Sequence, residues 1–516
     1  MIWRFYNYVK FKFSLNIFSK ALFLISILGI FLINILNLGN PILDEHAFRQ
    51  TQTALTSYYI KKDGFKFSYE TPVIGEPWSI PFEFPLYQLI VASISKAFNY
   101  PLTNTGKLVS LLFTLLSCLP LFFTLKKLNI NKNAIFFSLM LFLSSPLYLF
   151  WSGTFMIETL ALFFTLTFLY FGVHIFKGNF QCHTFFFYFT FLTLALLQKI
   201  TTAIIPLFLL CLIFLILISK IKNVLVRKKL LIKLFISTAL PVLIAYLWVK
   251  YSDFIKQKNL IGASFTSDSL FEWTYGSIEQ RYSIALWFHT IFKRNIYQSS
   301  FLVLGCVGVF LALFLIRERD IKFVISIMLL LFLFPFLIFT NLHIVHSYYQ
   351  LANSIFWSVS VGISFFYLIK FFPKYENILY VLFFSFFLFS NYFFFTKVYL
   401  QSKEYKISEE NSRTLKISNF IKKNTNENQP IVIYGYGWSS EVAFYSERRA
   451  LSLPEDKWYL QAISNTDKFL NKDRPSSFVL CPVPNQDQIR LAINTKYVNL
   501  RMTKIDDCEI FLIPSR

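Results

Sequence analysis

Apolar residues in this chain come in long unbroken runs separated by short polar gaps, without the period-two alternation of membrane-barrel strands. A helix needs about 20 such residues to cross a bilayer's hydrocarbon core. Eleven runs approach that length, over about residues 18–38, 106–125, 134–151, 155–176, 184–199, 202–219, 234–250, 299–316, 323–341, 351–370 and 377–396. The pattern predicts a polytopic α-helical membrane protein with about eleven spans, filling residues 1–396. Residues 84–98, FPLYQLIVASISKAF, are apolar but short and proline-led, which predicts an interfacial or re-entrant helix. From residue 397 to 516 the chain turns polar. There QPIVIYGYGWSSEVAFYSERRAL reads as strand, glycine turn and helix, and SFVLCPV and CEIFLIP as further strands, so a small C-terminal α/β domain is expected. GYGWSS is a weak phosphate-loop candidate that a tight strand-to-helix turn explains equally well.

Composition agrees: the chain is 55% hydrophobic and only 15% charged, which excludes an ordinary soluble domain. A net charge of +22 would suggest nucleic acid in a soluble protein, but here the basic residues follow the gaps, so no nucleic-acid partner is expected. Arg4, Lys10, Lys12 and Lys20 precede or open the first run, and Lys126, Lys127 and Lys132 follow the second. Lys177 follows the fourth, Lys220, Lys222, Arg227, Lys228, Lys229 and Lys233 the sixth, Arg317, Arg319 and Lys322 the eighth, and Lys370 and Lys374 the tenth. All these gaps fall on one side if the N-terminus is cytoplasmic. The predicted location is the cell (inner, cytoplasmic) membrane, multi-pass, with residues 39–105, 251–299 and the C-terminal domain outside. Lys256, Lys258, Arg281, Lys293 and Arg294 are a mild exception, in a long loop where the charge rule is weak. The first run is too long for a cleaved signal and is expected to remain as an anchor. Of six cysteines, Cys481 and Cys508 lie in the polar tail and could pair in an oxidising compartment; none forms a CxxC.

Ionisable residues at membrane depth are costly, so each is a functional candidate. Asp44 and Glu45 follow the first run, Glu158 lies about a turn inside the fourth, Lys199 ends the fifth, and His343 and His346 close the ninth. On the predicted topology all reach the same level of the outer face. Bland roles compete: a structural Glu158–Lys199 ion pair, interfacial histidines, and Asp44 as the N-cap of a helix over DEHAFRQTQTALTSYYI. Carboxylates, cations and histidines beneath an outer loop nonetheless suit an anionic substrate and a proton transfer. No His/Cys cluster has zinc-ligand spacing, and no GxSxG or P-loop is present.

These motifs, in this order, resemble the GT-C superfamily of glycosyltransferases that use polyprenyl-phosphate sugars, over about residues 20–370. The acid pair Asp44-Glu45 resembles the motif after the first span in protein O-mannosyltransferases (glycosyltransferase family 39-like) and lipid A aminoarabinose transferases. HAFRQTQT, with Phe48 in place of a tryptophan, is similar to the H-x-W-R-Q-x-x-T pattern of a bacterial group. FPLYQLIVASISKAF resembles the juxtamembrane helix, FMIETLALFF the acid-led fourth span and LLQKITTAIIP the lysine-bearing turn, while WTYGSIEQRYSIALW and HSYYQL resemble late motifs. Arginine lies five residues after Asp44, not three as in the aminoarabinose enzymes, so that acceptor is not carried over.

The resemblance implies a hexosyl- or pentosyltransferase that inverts the anomeric carbon in one displacement, an acceptor hydroxyl attacking while polyprenyl phosphate leaves. It implies Asp44 as base with Glu45 assisting, and Arg49, Lys199, His343, His346 and Tyr348 around the phosphate, with Glu158 holding Lys199 or the sugar. It implies no cofactor beyond the lipid-linked donor; a divalent metal is the less favoured alternative. Lipid, glycan and protein acceptors stay open. A polysaccharide polymerase or ligase should show arginine-rich outer loops, and a lipid-linked-sugar transporter internal repeats with charges at mid-membrane.

Overall fold

The computed structural model describes residues 14–401, 407–454, 456–471 and 473–514; Arg4, Lys10 and Lys12 of the charge pattern lie outside them. Each apolar run is helical: α1 (Leu15–Leu36), then, after α2 (Ala47–Asp63) and α3 (Leu86–Ala97) of the first long loop, α4 (Leu102–Lys127), α5 (Lys132–Ser144), α6 (Glu158–Phe176), α7 (Cys182–Gln198), α8 (Ile200–Lys220), α9 (Val224–Lys256), α10 (Leu304–Leu315), α11 (Arg319–Ile338), α12 (Ser354–Ile369) and α13 (Glu376–Phe395). Among the described residues, seven of these (α1, α4, α6, α8, α9, α11 and α13 with its continuation) are long and apolar enough to cross a membrane; α5, α7, α10 and α12 are apolar but shorter.

Two expectations need correction. The run 134–151 is not one helix: Pro146 forces Ser145 into an extended conformation (ψ 132°), and the chain restarts as a short helix, Pro146–Trp151. Arg227, Lys228, Lys229 and Lys233, expected in a gap, belong to the first turns of α9, which is 33 residues long and starts behind an Asn223 cap. The short helix α3 packs against α2 and α4; α9 runs on to Lys256, and residues 257–299 carry short helices and a π-helix, Ala285–Tyr297.

The tail builds a five-stranded sheet ordered β2-β1-β3-β5-β4, from β1 (Ile431–Tyr434), β2 (Ala450–Ser452), β3 (Ser477–Leu480), β4 (Arg501–Ile505) and β5 (Cys508–Leu512). β1 pairs parallel with β2 and β3; β5 pairs antiparallel with β3 and β4. Cys481 and Cys508 are disulfide-bonded, tying the end of β3 to the start of β5. The sheet does not stand apart from the first long loop. Residues 72–75 run along β2, with the Ala450 N–H donating to the Pro72 carbonyl (3.1 Å) and the Gly75 N–H to the Ala450 carbonyl (3.1 Å). Ile42, Leu55, Tyr59 and Val73 of that loop share one buried cluster with Ile433, Phe444, Leu451 and Phe478 of the tail.

The GYGWSS segment is a docking turn. Gly435 and Gly437 take positive φ (85° and 57°), as glycine does without strain. The turn delivers the Ser440 hydroxyl to the Phe48 carbonyl (3.1 Å) and to Thr51 Oγ1 (3.0 Å), and stacks Trp438 against Phe48, Phe82 and Phe265.

Candidate active site

The acid motif is shaped by the way the chain leaves α1. Lys107, on the second turn of α4 and buried, donates to the carbonyls of Asn37 (3.0 Å), Leu38 (3.4 Å) and Asn40 (2.6 Å). His46 then adopts the left-handed conformation (φ 55°), and α2 begins at Ala47. That detour overturns the N-cap role for Asp44. The capping position belongs to His46, and the Asp44 carboxylate accepts the Gln50 side-chain amide rather than a backbone N–H of the helix end. Gln50 is fully buried; it also donates to the Glu45 carbonyl (3.1 Å) and accepts the Phe155 N–H (3.1 Å), tying the motif to the chain just before α6. Burial raises the Asp44 carboxyl to about 6, with the Gln50 hydrogen bond and the Lys107 charge opposing and Glu45 adding to the rise.

Glu45 points the other way, toward the segment after α11. It accepts the Ser347 hydroxyl (2.5 Å), and the His46 Nε2 lies 3.9 Å from its Oε1. His46 and His346 face each other with Nδ1 atoms 3.5 Å apart, so one donates and the other accepts. Burial, then the charge of Arg294, lowers His46 to about 4; burial, then His46, Arg49 and Lys199, lowers His346 to about 3. Both imidazoles are therefore neutral at physiological pH. Tyr348 packs edge-on to His46 with centroids 5.1 Å apart, and burial keeps its phenol protonated.

Two ion pairs lie behind these groups, one buried and one half-buried. Lys199, at the break between α7 and α8, donates to Glu158 Oε1 at the start of α6, both side chains 4% exposed or less. The Lys199 ammonium also lies 3.7 Å from the Tyr349 ring centroid and 5.1 Å from that of Tyr348. Arg49 pairs with Glu83 at 2.6 Å and bonds Gln52. Burial alone would raise Glu83, but Arg49 and then Lys199 outweigh it and hold the carboxylate below its usual range. His343 is buried on the short helix Thr340–Val345, against Phe336.

Seven of the eight residues singled out from the sequence thus belong to one patch, while the Asp44 carboxylate, next to Glu45 in the chain, contacts Gln50 and lines a cavity with Lys107 at its edge. Gln50, Glu83, Lys107 and Ser347 were missed. Glu83 had a signal, a lone acid in the apolar stretch IPFEFPLYQL; Lys107 reads as an ordinary snorkelling lysine near a span end. The patch is rich in unsatisfied groups. Glu158 Oε2, Gln198 Nε2, Thr201 Oγ1, His343 Nδ1 and Trp151 Nε1 are shielded from solvent without a hydrogen-bond partner among the described residues. Buried polar atoms are rarely left so, and a hydroxyl-rich ligand would supply their partners. Among the described residues, no three His, Cys, Asp or Glu side chains converge as a metal-ligand set.

No family model matches the sequence, and no curated protein does. Solved structures do. ArnT from Cupriavidus metallidurans bound to undecaprenyl phosphate superposes with a TM-score of 0.63 at 12% identity, covering 95% of this chain and 97% of that one. The oligosaccharyltransferase AglB from Archaeoglobus fulgidus, in complex with an inhibitory peptide and a dolichol-phosphate, gives 0.56 at 12% identity over 90% of this chain and 69% of its own. The mycobacterial arabinofuranosyltransferase AftD gives 0.53 at 9% identity over 97% of this chain and 42% of its own. The chain therefore has the GT-C fold, as the resemblance of its motifs implied.

Proposed function

We propose that this protein is a membrane glycosyltransferase that moves a sugar from a polyprenyl-phosphate donor to an acceptor hydroxyl on the outer face of the membrane. The observation that carries the reading is the convergence of carboxylates, cations and neutral histidines from four separated stretches into one patch with unsatisfied polar atoms, on a fold shared with proteins captured with lipid phosphates.

In this reading Asp44 is the base. A carboxyl near 6 is mostly ionised at neutral pH yet more basic than a free aspartate, which favours accepting a proton from an attacking hydroxyl. Glu45, braced by Ser347, keeps His46 and His346 in register and orients the acceptor. The acceptor oxygen bonds to C1 as the C1–O bond to phosphate breaks, with inversion, and the departing phosphate keeps that electron pair. Lys199 and Arg49 stabilise its growing charge, with Tyr348, His343 and His346 as neutral donors. Glu158 has one oxygen on Lys199 and a second, without a partner among the described residues, that can accept a sugar hydroxyl. Fixed cations supply the charge, so a metal is not required. The N-terminus is cytoplasmic, and the tail lies outside over the acid motif.

The test is to incubate purified protein with a panel of polyprenyl-phosphate sugars and candidate lipid, glycan and protein acceptors, with and without EDTA. The reading predicts EDTA-resistant release of polyprenyl phosphate and a product of inverted configuration by NMR. Retained configuration, or loss of release in EDTA that added metal restores, contradicts it.

A further inference from the structure

Lys107 stands out among the buried cations of this face because of what it touches. Arg49 and Lys199 each pair with a carboxylate. The Lys107 ammonium meets three backbone carbonyls, all in the four-residue turn that carries the chain out of α1 toward Asp44. Carbonyl dipoles hold an ammonium in place without cancelling its charge. That charge acts on Asp44, which shares with Lys107 the wall of a polar cavity of about 20 Å3 also lined by Asn34, Asn37, Asn40 and Thr154. The cavity has room for one water molecule and none for a sugar, so this is the supporting side of the carboxylate. Gln50 grips the same carboxylate from α2. The other titratable groups facing Asp44 are Glu45 in its own loop and Tyr445 of the tail, whose hydroxyl accepts the Ile42 N–H (2.8 Å).

We propose that Lys107 is the positioning residue of the acid motif: it clamps the exit of the first helix through three carbonyls and places an ammonium in the wall of the cavity that Asp44 lines. Glu45 accepts the Ser347 hydroxyl and lies near His46, whereas Asp44 lines the cavity that Lys107 also lines. The two adjacent carboxylates are thereby made unequal, one tuned as a base and the other used as a brace. This inference rests on the reading of Asp44 as the base, and its test has a readout independent of activity.

Turnover is measured against pH for wild type, Lys107→Gln, which keeps hydrogen-bond donors without charge, and Lys107→Arg, which keeps the charge. In parallel, carbodiimide labelling of Asp44 is followed against pH by peptide mass spectrometry, since the protonated carboxyl is the reactive form. Loss of an opposite charge within about 4–6 Å raises a carboxyl by about one unit or more. In Lys107→Gln the acid limb of turnover and the labelling midpoint should both move up by that amount. Turnover near pH 6.5 then falls about threefold for a one-unit rise and recovers near pH 8.5, with donor KM unchanged. Lys107→Arg should keep the wild-type values. Superposable wild-type and Lys107→Gln midpoints overturn the proposal, as does an equal displacement in Lys107→Arg. If Lys107→Gln does not fold, Lys107→Arg decides, with a retained midpoint supporting the proposal and a displaced one refuting it. Wild type without transfer would remove the functional reading, while the labelling midpoints would still decide whether Lys107 sets the charge of Asp44.

Discussion

Glu158 and Lys199 answer each other across two helices that begin 42 residues apart, and the pair has no solvent to share its charge with. Removing one partner strands the other as an uncompensated buried charge, at a cost of about 3–5 kcal/mol. Glu158→Gln and Lys199→Ala should therefore each lower the melting temperature, and the double variant Glu158→Gln/Lys199→Met should recover most of it without recovering turnover. Equal melting in all four proteins would show that the two groups do not pair. The neighbouring histidines contribute differently. Burial lowers His46 and His346, so the acid limb expected near pH 6 is assigned to Asp44, which burial raises to about 6. The sequence exposed Glu158 and Lys199 because a charge inside an apolar run announces itself. It concealed Gln50 and Lys107, whose types and positions are unremarkable until the α1 exit and the left-handed turn at His46 bring them to Asp44.

Elements were legible in proportion to the length of their pattern. The eleven apolar runs all became helix, because a run of that length admits no other structure that satisfies its backbone in lipid. β1, β3 and β5 were readable as apolar stretches bounded by turn residues. β2 is three residues long and β4 is a largely exposed edge strand, RMTKI, with two basic residues, so neither offered a signal. The cystine joins β3 to β5 across 27 residues of chain. Closing a loop of that length stabilises by about 3 kcal/mol in the chain-entropy account. Cys481→Ser/Cys508→Ser should lose roughly that much in denaturant unfolding followed by tail fluorescence; a difference well under about 1 kcal/mol would mean the sheet holds these strands without it.

At the scale of the whole molecule, the tail is docked on the loop and helix that carry the candidate site rather than hanging as an appendage. Residues 72–75 run along β2, Arg449 pairs with Glu70 at 2.7 Å, and Ser440 binds the helix that carries Arg49. The tail folds as the small α/β unit its sequence predicts, but long-range docking of this kind leaves no periodic trace. A chain ending at residue 406 should accordingly lose turnover and expose the 64–85 segment to trypsin, whereas retained turnover would make the tail dispensable.

The central claim is that the acid pair beyond the first helix exists to take a proton from an acceptor. Its most direct test is the rate of polyprenyl-phosphate release by Asp44→Asn beside wild type, with the active donor and acceptor, across pH 5 to 9. A positioned general base contributes about 10²–10⁴-fold. The account predicts a loss in that range for Asp44→Asn, together with disappearance of the acid limb near pH 6 that wild type shows, since turnover needs the carboxylate and falls as pH drops through about 6. Release that persists undiminished in Asp44→Asn, with the limb intact, would place the base elsewhere and leave Asp44 as a structural partner of Gln50.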